Sequence, residues 1–359
     1  MDTLLSARRT LLSPRRRTVL QALAAAGVLA ACGESRIARG IQVATHRGEA
    51  MGSTYVLKVA GTVPAGLFAQ AVAAVDAALQ AVDRAMSTHR ADSELSRLNA
   101  HASATPFFTT PAVYDVLRLA HRVSIDTAGA FDVTVAPLVD AWGFGPARVT
   151  RVVSDAEVEA LAARIGFRML ELDDGARAVR KARPDVQADL SGIAKGHAVD
   201  AAAAALDALG IGHYLVEAGG EVRARGHNGS GTPWQIGIEQ PDAFPQRPRY
   251  VVPLANRAMA TSGDYRIYFE RDGQRYAHEI DPATGRPMRS GIASVSVVAE
   301  QCALADAMGK LIVLPIDRAY ATAERLGLAA HFVVRGAGGR LTDRMTPAFE
   351  ALGGRRVPT

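Results

Sequence analysis

Between His213 and Glu300, strand-like runs follow one another with nothing but turns between them: "HYLVEAG", "EVRARG", "WQIGIE", "YVVPLA", "AMATSG", the Asp272-Gly273 hairpin "RIYFERDGQRYAHEI", and "ASVSVVAE". Parallel neighbours need a crossover of a dozen residues or more, whereas antiparallel neighbours need only a turn. This half of the chain is therefore committed to mostly antiparallel sheet. Helical periodicity gathers on either side of it, in "LFAQAVAAVDAALQAVDRAMS", "AVYDVLRLAHRVSIDTAG", "SDAEVEALAARIG", "SGIAKGHAVDAAAAALDALG", "CALADAMGKLIVL" and "DRAYATAERLG", with a second hairpin at Asp174-Gly175. Helices set between runs of hairpin-linked strands predict an α+β fold with packed helices, not a βαβ alternation.

The first 31 residues read as an export signal. Five arginines against Asp2 give that segment a net +4, so the formal +5 of the whole chain leaves about +1 for the body. A nearly neutral body carries no electrostatic footprint for nucleic acid. Arg16-Arg17 followed by Thr18-Val19-Leu20 resembles a twin-arginine signal, and "VLQALAAAGVLAAC" is short for a bilayer span. "LAAC" ending at Cys32 resembles a lipobox, the alternative being a one-pass anchor with Cys32 a bystander. Either way the body is expected on the periplasmic side of the cell envelope, held at a membrane. The expected organisation is signal 1–31, tether 32–48 and one domain 49–352. Cys302 is the only cysteine after Cys32, which excludes an internal disulfide framework in the body.

Three stretches carry chemistry. In "DVQADLSGIAKGHAVD" a strand is expected to deliver Asp189 to a helix opening at Ser191-Gly192, with Lys195 in its first turn. Free amides, a positive dipole end and a Lys suit phosphate; the bland alternative is a capped helix with a surface Lys. In "CALADAMGKLIVL", Asp306 sits among apolar residues and needs a partner, either a hard cation or Lys310 through an i,i+4 pair. His278 ends a hairpin beside the braced loop "IDPATGRP", as a general base or as a structural histidine. "GHNGSG" is a turn and not a dinucleotide fingerprint, and no zinc-spaced Cys/His cluster or Gly-x-Ser-x-Gly elbow occurs.

In order, "MGSTY", "MSTHRADSELSRLN", "GAFDVTVAPLVDAWGFGP", "DLSGIAKGHAVD", "YLVEAGGEVRARG", "ATSGDYRIYFERDGQRYAHEIDPATGRP" and "ADAMGK" resemble the blocks of the ApbE family, the FAD:protein FMN transferases, from about Met51 to about Phe349. The resemblance implies an ApbE-like fold around a central FAD cleft. It implies attack by a Thr or Ser hydroxyl of an exported acceptor protein on the FMN-side phosphorus of FAD, with AMP leaving and Mg²⁺ stabilising the charge. Acceptor threonines of the type Asp-x-x-Ser/Thr-Gly-Ala-Thr, on subunits of respiratory or ion-pumping complexes, are the partners it implies.

Residue by residue, the resemblance puts Met51, His89, Ala130, Phe131, Asp132, Asp189, Lys195 and Ile280 against FAD. Asp132 would hydrogen-bond the adenosine, on a segment whose prolines and glycines impose a non-helical path. His278 matches the general base, and the Gly192 carbonyl and the Asp306 side chain match the metal ligands. Two positions depart from the family. Lys310 stands where a metal-binding Thr is common, and a charged ammonium cannot bind Mg²⁺; it would neutralise Asp306 or touch a phosphate. His89 stands where relatives carry a flavin-stacking Tyr. Two other activities stay open on these departures: an FAD pyrophosphatase giving FMN and AMP, and a non-catalytic FAD-binding lipoprotein.

Overall fold

The computed structural model describes residues 42–146 and 150–358. The signal, the lipobox with Cys32 and the tether as far as residue 41 lie outside the described residues. At the centre is an eight-stranded sheet of Val43–Ala50, Ser53–Ala60, Tyr214–Ala218, Glu221–Arg225, Arg257–Gly263, Ile292–Ala299, Ala329–Arg335 and Leu341–Met345, in that spatial order. Every neighbouring pair is antiparallel, including those that the run of turns between His213 and Glu300 does not reach.

The strand period of two sends alternate side chains to opposite faces. In Arg257–Gly263, Ala258 and Ala260 join one core and Met259 the other. On the first face lie the helices Ala65–Met86, Pro111–Asp126, Ala194–Ala208 and Cys302–Met308. The helix Ala65–Met86 is long and apolar enough to cross a membrane, but its Ala71, Val75, Leu79, Val82 and Met86 are buried in that core. On the second face Trp234, Ile236, Ile238, Val252 and Leu254, from a small three-stranded sheet, pack against Leu215, Val222, Met259 and Val298. Ile292–Ala299 is covered on both sides and buried at all eight positions.

Four details differ from the sequence expectations. Val43–Ala50, placed in the tether, is an edge strand paired with Ser53–Ala60. It has no buried residue, so no apolar alternation announces it. The 129–146 segment is not wholly non-helical: a 3-10 turn, Val133–Val135, runs into a helix, Ala136–Ala141, with Pro137 in its first turn, where its missing N–H costs nothing. Asp189 comes from a loop rather than a strand, and the following helix begins at Ala194, after a turn through Ser191 and Gly192. The helix Cys302–Met308 stops before Gly309, and Lys310 belongs to a 3-10 turn, Gly309–Val313.

Candidate active site

Two helices crossing on the sheet fix the site, each supplying an aspartate to the other's first turn. Asp200, on Ala194–Ala208, accepts the N–H groups of Cys302 and Ala303, both at 2.9 Å. Asp306, on Cys302–Met308, accepts the N–H of Gly196 at 3.0 Å. N–H groups in a helix's first turn lack partners in their own helix, and acids there also meet the positive dipole end. The helices approach so closely that a Cβ on Gly196 would sit 2.4 Å from the Cys302 carbonyl oxygen.

Around this crossing the charges interlock. Lys195 Nζ bonds Glu221 at 2.5 Å. Lys310 Nζ bonds both oxygens of Glu279, at 2.8 and 2.6 Å. The i,i+4 pair expected between Asp306 and Lys310 is therefore not formed. The helix ends between them, and Lys310 reaches across to Glu279. Asp306 is 5% exposed and its carboxyl is pushed up by burial, with Lys195 and Lys310 pulling the other way. Glu221 is pushed up to about 7 by burial and then by Asp306, against the pull of Lys195. Its Oε2 is buried without a hydrogen-bond partner among the described residues. Burial would lower the Lys195 ammonium, but Asp306 and Glu221 outweigh it and hold it above its usual range.

Lys310 also roofs Gly192. A Cβ there would meet Lys310 Cε at 2.8 Å, with Phe131 Cε2 at 3.4 Å. This close approach brings Phe131, Gly192, Lys310, Glu279 and His278 into one chain of contacts. The Nδ1 of His278 lies 3.2 Å from the Ile267 carbonyl. A carbonyl only accepts, so Nδ1 carries the proton and Nε2 is free to accept one. Nε2 is 3.5 Å from Glu279 Oε1, and the ring is 28% exposed. Burial lowers the basicity of this imidazole, Glu279 raises it and Lys310 lowers it again, for a net shift downward.

A second set of residues forms the wall. A cavity of about 300 Å³ is lined by Thr88, Asn99, Asp140, Gly145 and Asp189, among others. His89 is exposed in the loop beside Thr88. Asp189 accepts from the N–H and hydroxyl of Ser191, at 2.8 and 2.5 Å. Asp132 is not among the residues that line this cavity. It is 7% exposed, and its carboxylate is taken up by Thr134 N–H and Oγ1 and by Phe167 N–H at 2.6 to 2.8 Å. It caps the 3-10 turn. Ala130 and Phe131 are buried beside it. Ile280 joins Leu138, Trp142 and Val158 in a separate apolar cluster. Trp142 Nε1 donates to the Gly285 carbonyl at 2.9 Å, tying the wall to the loop after His278. Met51 sits at the tip of the first hairpin with φ of 52°. Its neighbour Ser53 and Lys195 both lie 3.5 Å from where a Gly219 Cβ would be.

Glu221, Glu279 and Asp200 escaped the sequence reading. Glu279 directly follows His278 and Glu221 follows a Gly-Gly, but nothing in a single sequence says which carboxylates are buried. Among the described residues no three His, Cys, Asp or Glu side chains form a metal cage. A cation held by one carboxylate and substrate phosphates needs no such cage, and this is the usual manner of Mg²⁺. Asp306, which receives a single hydrogen bond, and the orphaned Glu221 oxygen fit that manner of binding. Lys310, bound to Glu279 as an ammonium, does not.

A family model described as the ApbE family matches residues 51–332. The FAD:protein FMN transferase of Vibrio cholerae is 40% identical over 321 residues, covering 89% of this chain and 94% of that one. That of Haemophilus influenzae is 40% identical over 341 residues, covering 92% and 96%. Among solved structures, the flavin transferase ApbE of Vibrio cholerae superposes with a TM-score of 0.78 at 37% identity, over 86% of this chain and 99% of that one. The Pseudomonas stutzeri flavinyl transferase ApbE gives 0.78 at 39%, over 87% and 97%.

Proposed function

Because the chain belongs to the ApbE family and is a flavin transferase, we propose that it moves FMN from FAD onto a Thr or Ser hydroxyl of an exported protein and releases AMP. The observation that carries this reading is the junction of a helix start, two lysines and His278 within one charge network. The pyrophosphate would lie against the turn at Gly192 and the start of the Ala194–Ala208 helix. The N–H groups of Ile193, Ala194 and Gly196 are already taken by Leu190 and Asp306, so it is the Lys195 ammonium and the dipole of the helix that would meet phosphate charge as it shifts toward the leaving group. His278 would take the acceptor's hydroxyl proton on Nε2, the nitrogen left free by the Ile267 carbonyl. The reaction involves no redox change, so catalysis rests on holding the hydroxyl in line with phosphorus and balancing charge.

Mg²⁺ belongs to the same proposal, with Asp306 and the Gly192 carbonyl as its protein ligands. When bound it would neutralise pyrophosphate charge. The cavity beside Asp189 and His89 offers room for part of the dinucleotide, with Met51, Ala130, Phe131 and Ile280 as apolar or backbone surface.

The test is to mix the protein with FAD, Mg²⁺ and an acceptor domain carrying the Asp-x-x-Ser/Thr-Gly-Ala-Thr type of sequence, and to weigh the acceptor. A mass gain of one FMN on its threonine is expected, with His278→Ala binding FAD but transferring nothing. FMN and AMP appearing at equal rates with and without acceptor would replace transfer by pyrophosphate hydrolysis. FAD bound with no AMP ever formed would leave only a flavin-binding protein. We also propose export and lipid anchoring at Cys32, on the "LAAC" sequence; an N-terminal peptide recovered from membranes that begins before Cys32 and carries no lipid contradicts it.

A further inference from the structure

Glu279 is a buried carboxylate, 4% exposed, whose two oxygens both go to the Lys310 ammonium. An ion pair at such depth gives little or no net stability over a well-packed apolar pair, because desolvating both charges offsets their attraction. Its geometry, however, bears on the neighbouring base. The His278 ring is held from one side by the Ile267 carbonyl at Nδ1, and on the other side Glu279 Oε1 stands 3.5 Å from Nε2. Phe144 lies edge-on to the ring, with centroids 6.4 Å apart. Lys195, on the Ala194–Ala208 helix, is the remaining charge that acts on it.

We propose that Glu279, clamped by Lys310, is the positioning residue that keeps His278 turned toward the acceptor hydroxyl and holds the imidazolium formed when that hydroxyl is deprotonated. The proposal rests on the transfer reading above. In the step, the acceptor O–H bond breaks and its proton passes to Nε2. The freed oxygen forms a bond to the FMN phosphorus. The bond from that phosphorus to the bridging oxygen breaks, and AMP keeps the electron pair. The new Nε2–H then faces a carboxylate at ion-pair distance. Lys310 has two effects on this arrangement. Holding both oxygens stops the carboxylate from rotating away from the ring. Its charge also keeps Glu279 ionised, so that the carboxylate does not compete with His278 for the proton. Lys310 is thus part of the base's support, and its extended side chain over Gly192 places that support beside the expected phosphates.

The experiment compares the full-length enzyme with Glu279→Gln and with the double variant Glu279→Leu/Lys310→Met. Glu279→Gln is expected to lower kcat for transfer by roughly tenfold to a hundredfold, a fraction of what a general base contributes, with KM for FAD unchanged. The double variant removes both charges together. It should melt no lower than the parent yet keep the kcat deficit. Recovery of the parental kcat in the double variant, or a full kcat in Glu279→Gln, overturns the proposal, since a merely structural pair would be restored by apolar packing. A second arm needs neither FAD nor acceptor. By NMR, the neutral His278 ring should be the Nδ1–H tautomer and should titrate at lower pH in Glu279→Gln than in the parent; identical titration in the two proteins overturns the proposal. If no acceptor is ever flavinylated the transfer reading fails, and this second arm still decides the role of Glu279.

Discussion

His278 is half-buried with one nitrogen committed to a backbone carbonyl, and this sets its behaviour with pH. Burial favours the neutral ring, so the base is ready at a lower pH than a free histidine, whose pKa is about 6.5. The rate kcat/KM is expected to rise with pH along a limb centred below that value and to be flat by neutrality. A limb centred above 7 would mean that a different group accepts the proton. The residue type and its place at a hairpin end were readable from the sequence; the free nitrogen was not, because Ile267 is eleven positions away and meets the ring only through the fold. Asp132 shows the opposite case. Its "AFD" context resembles a ligand contact, and in the fold the carboxylate also holds Thr134 and Phe167, which the sequence did not show. An acid two residues before a Thr can cap a turn as readily as it can bind a nucleotide.

At the scale of elements, the site depends on two helices whose separation is set by Gly196. Adding one methyl there places a carbon 2.4 Å from the Cys302 carbonyl oxygen, and neither backbone can yield without moving the other helix. Gly196→Ala is expected to cost about 1–3 kcal/mol of stability and to abolish transfer even where the protein still folds, because Asp306 and Lys195 move apart. Thermal unfolding and the acceptor-mass assay on the same sample check this, and a variant with parental activity contradicts it. Both helices were visible as apolar periodicity, but their reciprocal capping by Asp200 and Asp306 was not. Capping partners 102 and 110 residues apart leave no local signature. The early end of the Cys302–Met308 helix was also missed. Gly309 marks it, a position where a Cβ would press on Ser262 Oγ at 2.7 Å, and with the helix ended there Lys310 bonds Glu279 instead of forming the i,i+4 pair that was one of its open alternatives.

For the whole molecule, the central sheet is closed on its far side by the small three-stranded sheet, and a buried knot joins the two. Arg249, 4% exposed, takes Asp343 with Nε at 2.6 Å and Nη2 at 2.8 Å, and His331 Nε2 meets the same carboxylate at 2.9 Å. Burial would raise the Asp343 carboxyl, but the hydrogen bonds from His331 and Arg249 outweigh it and hold it well below the usual range. A carboxyl depressed by folding adds stability that is fully present above its unfolded pKa, about 4, and is lost as pH falls further. The melting temperature should therefore drop below about pH 4, and Asp343→Asn should flatten that drop while costing about 3–5 kcal/mol at neutral pH. A variant with the parental acid profile contradicts this account. Antiparallel pairing between His213 and Glu300 was legible in turn chemistry, but the edge strand Val43–Ala50 and the order in which distant strands pair were not. Nor was the sandwich of small sheet on large sheet, since no strand spells out which face its alternate residues will find.

All of this converges on where a bound dinucleotide places its phosphates, and a crystal structure of the protein with FAD measures that directly. The pyrophosphate should lie at the start of the Ala194–Ala208 helix, in reach of Lys195 and on the same side as Asp306 and His278. A pyrophosphate bound on another face, or one that leaves His278 Nε2 without a path to the FMN phosphorus, would contradict the account.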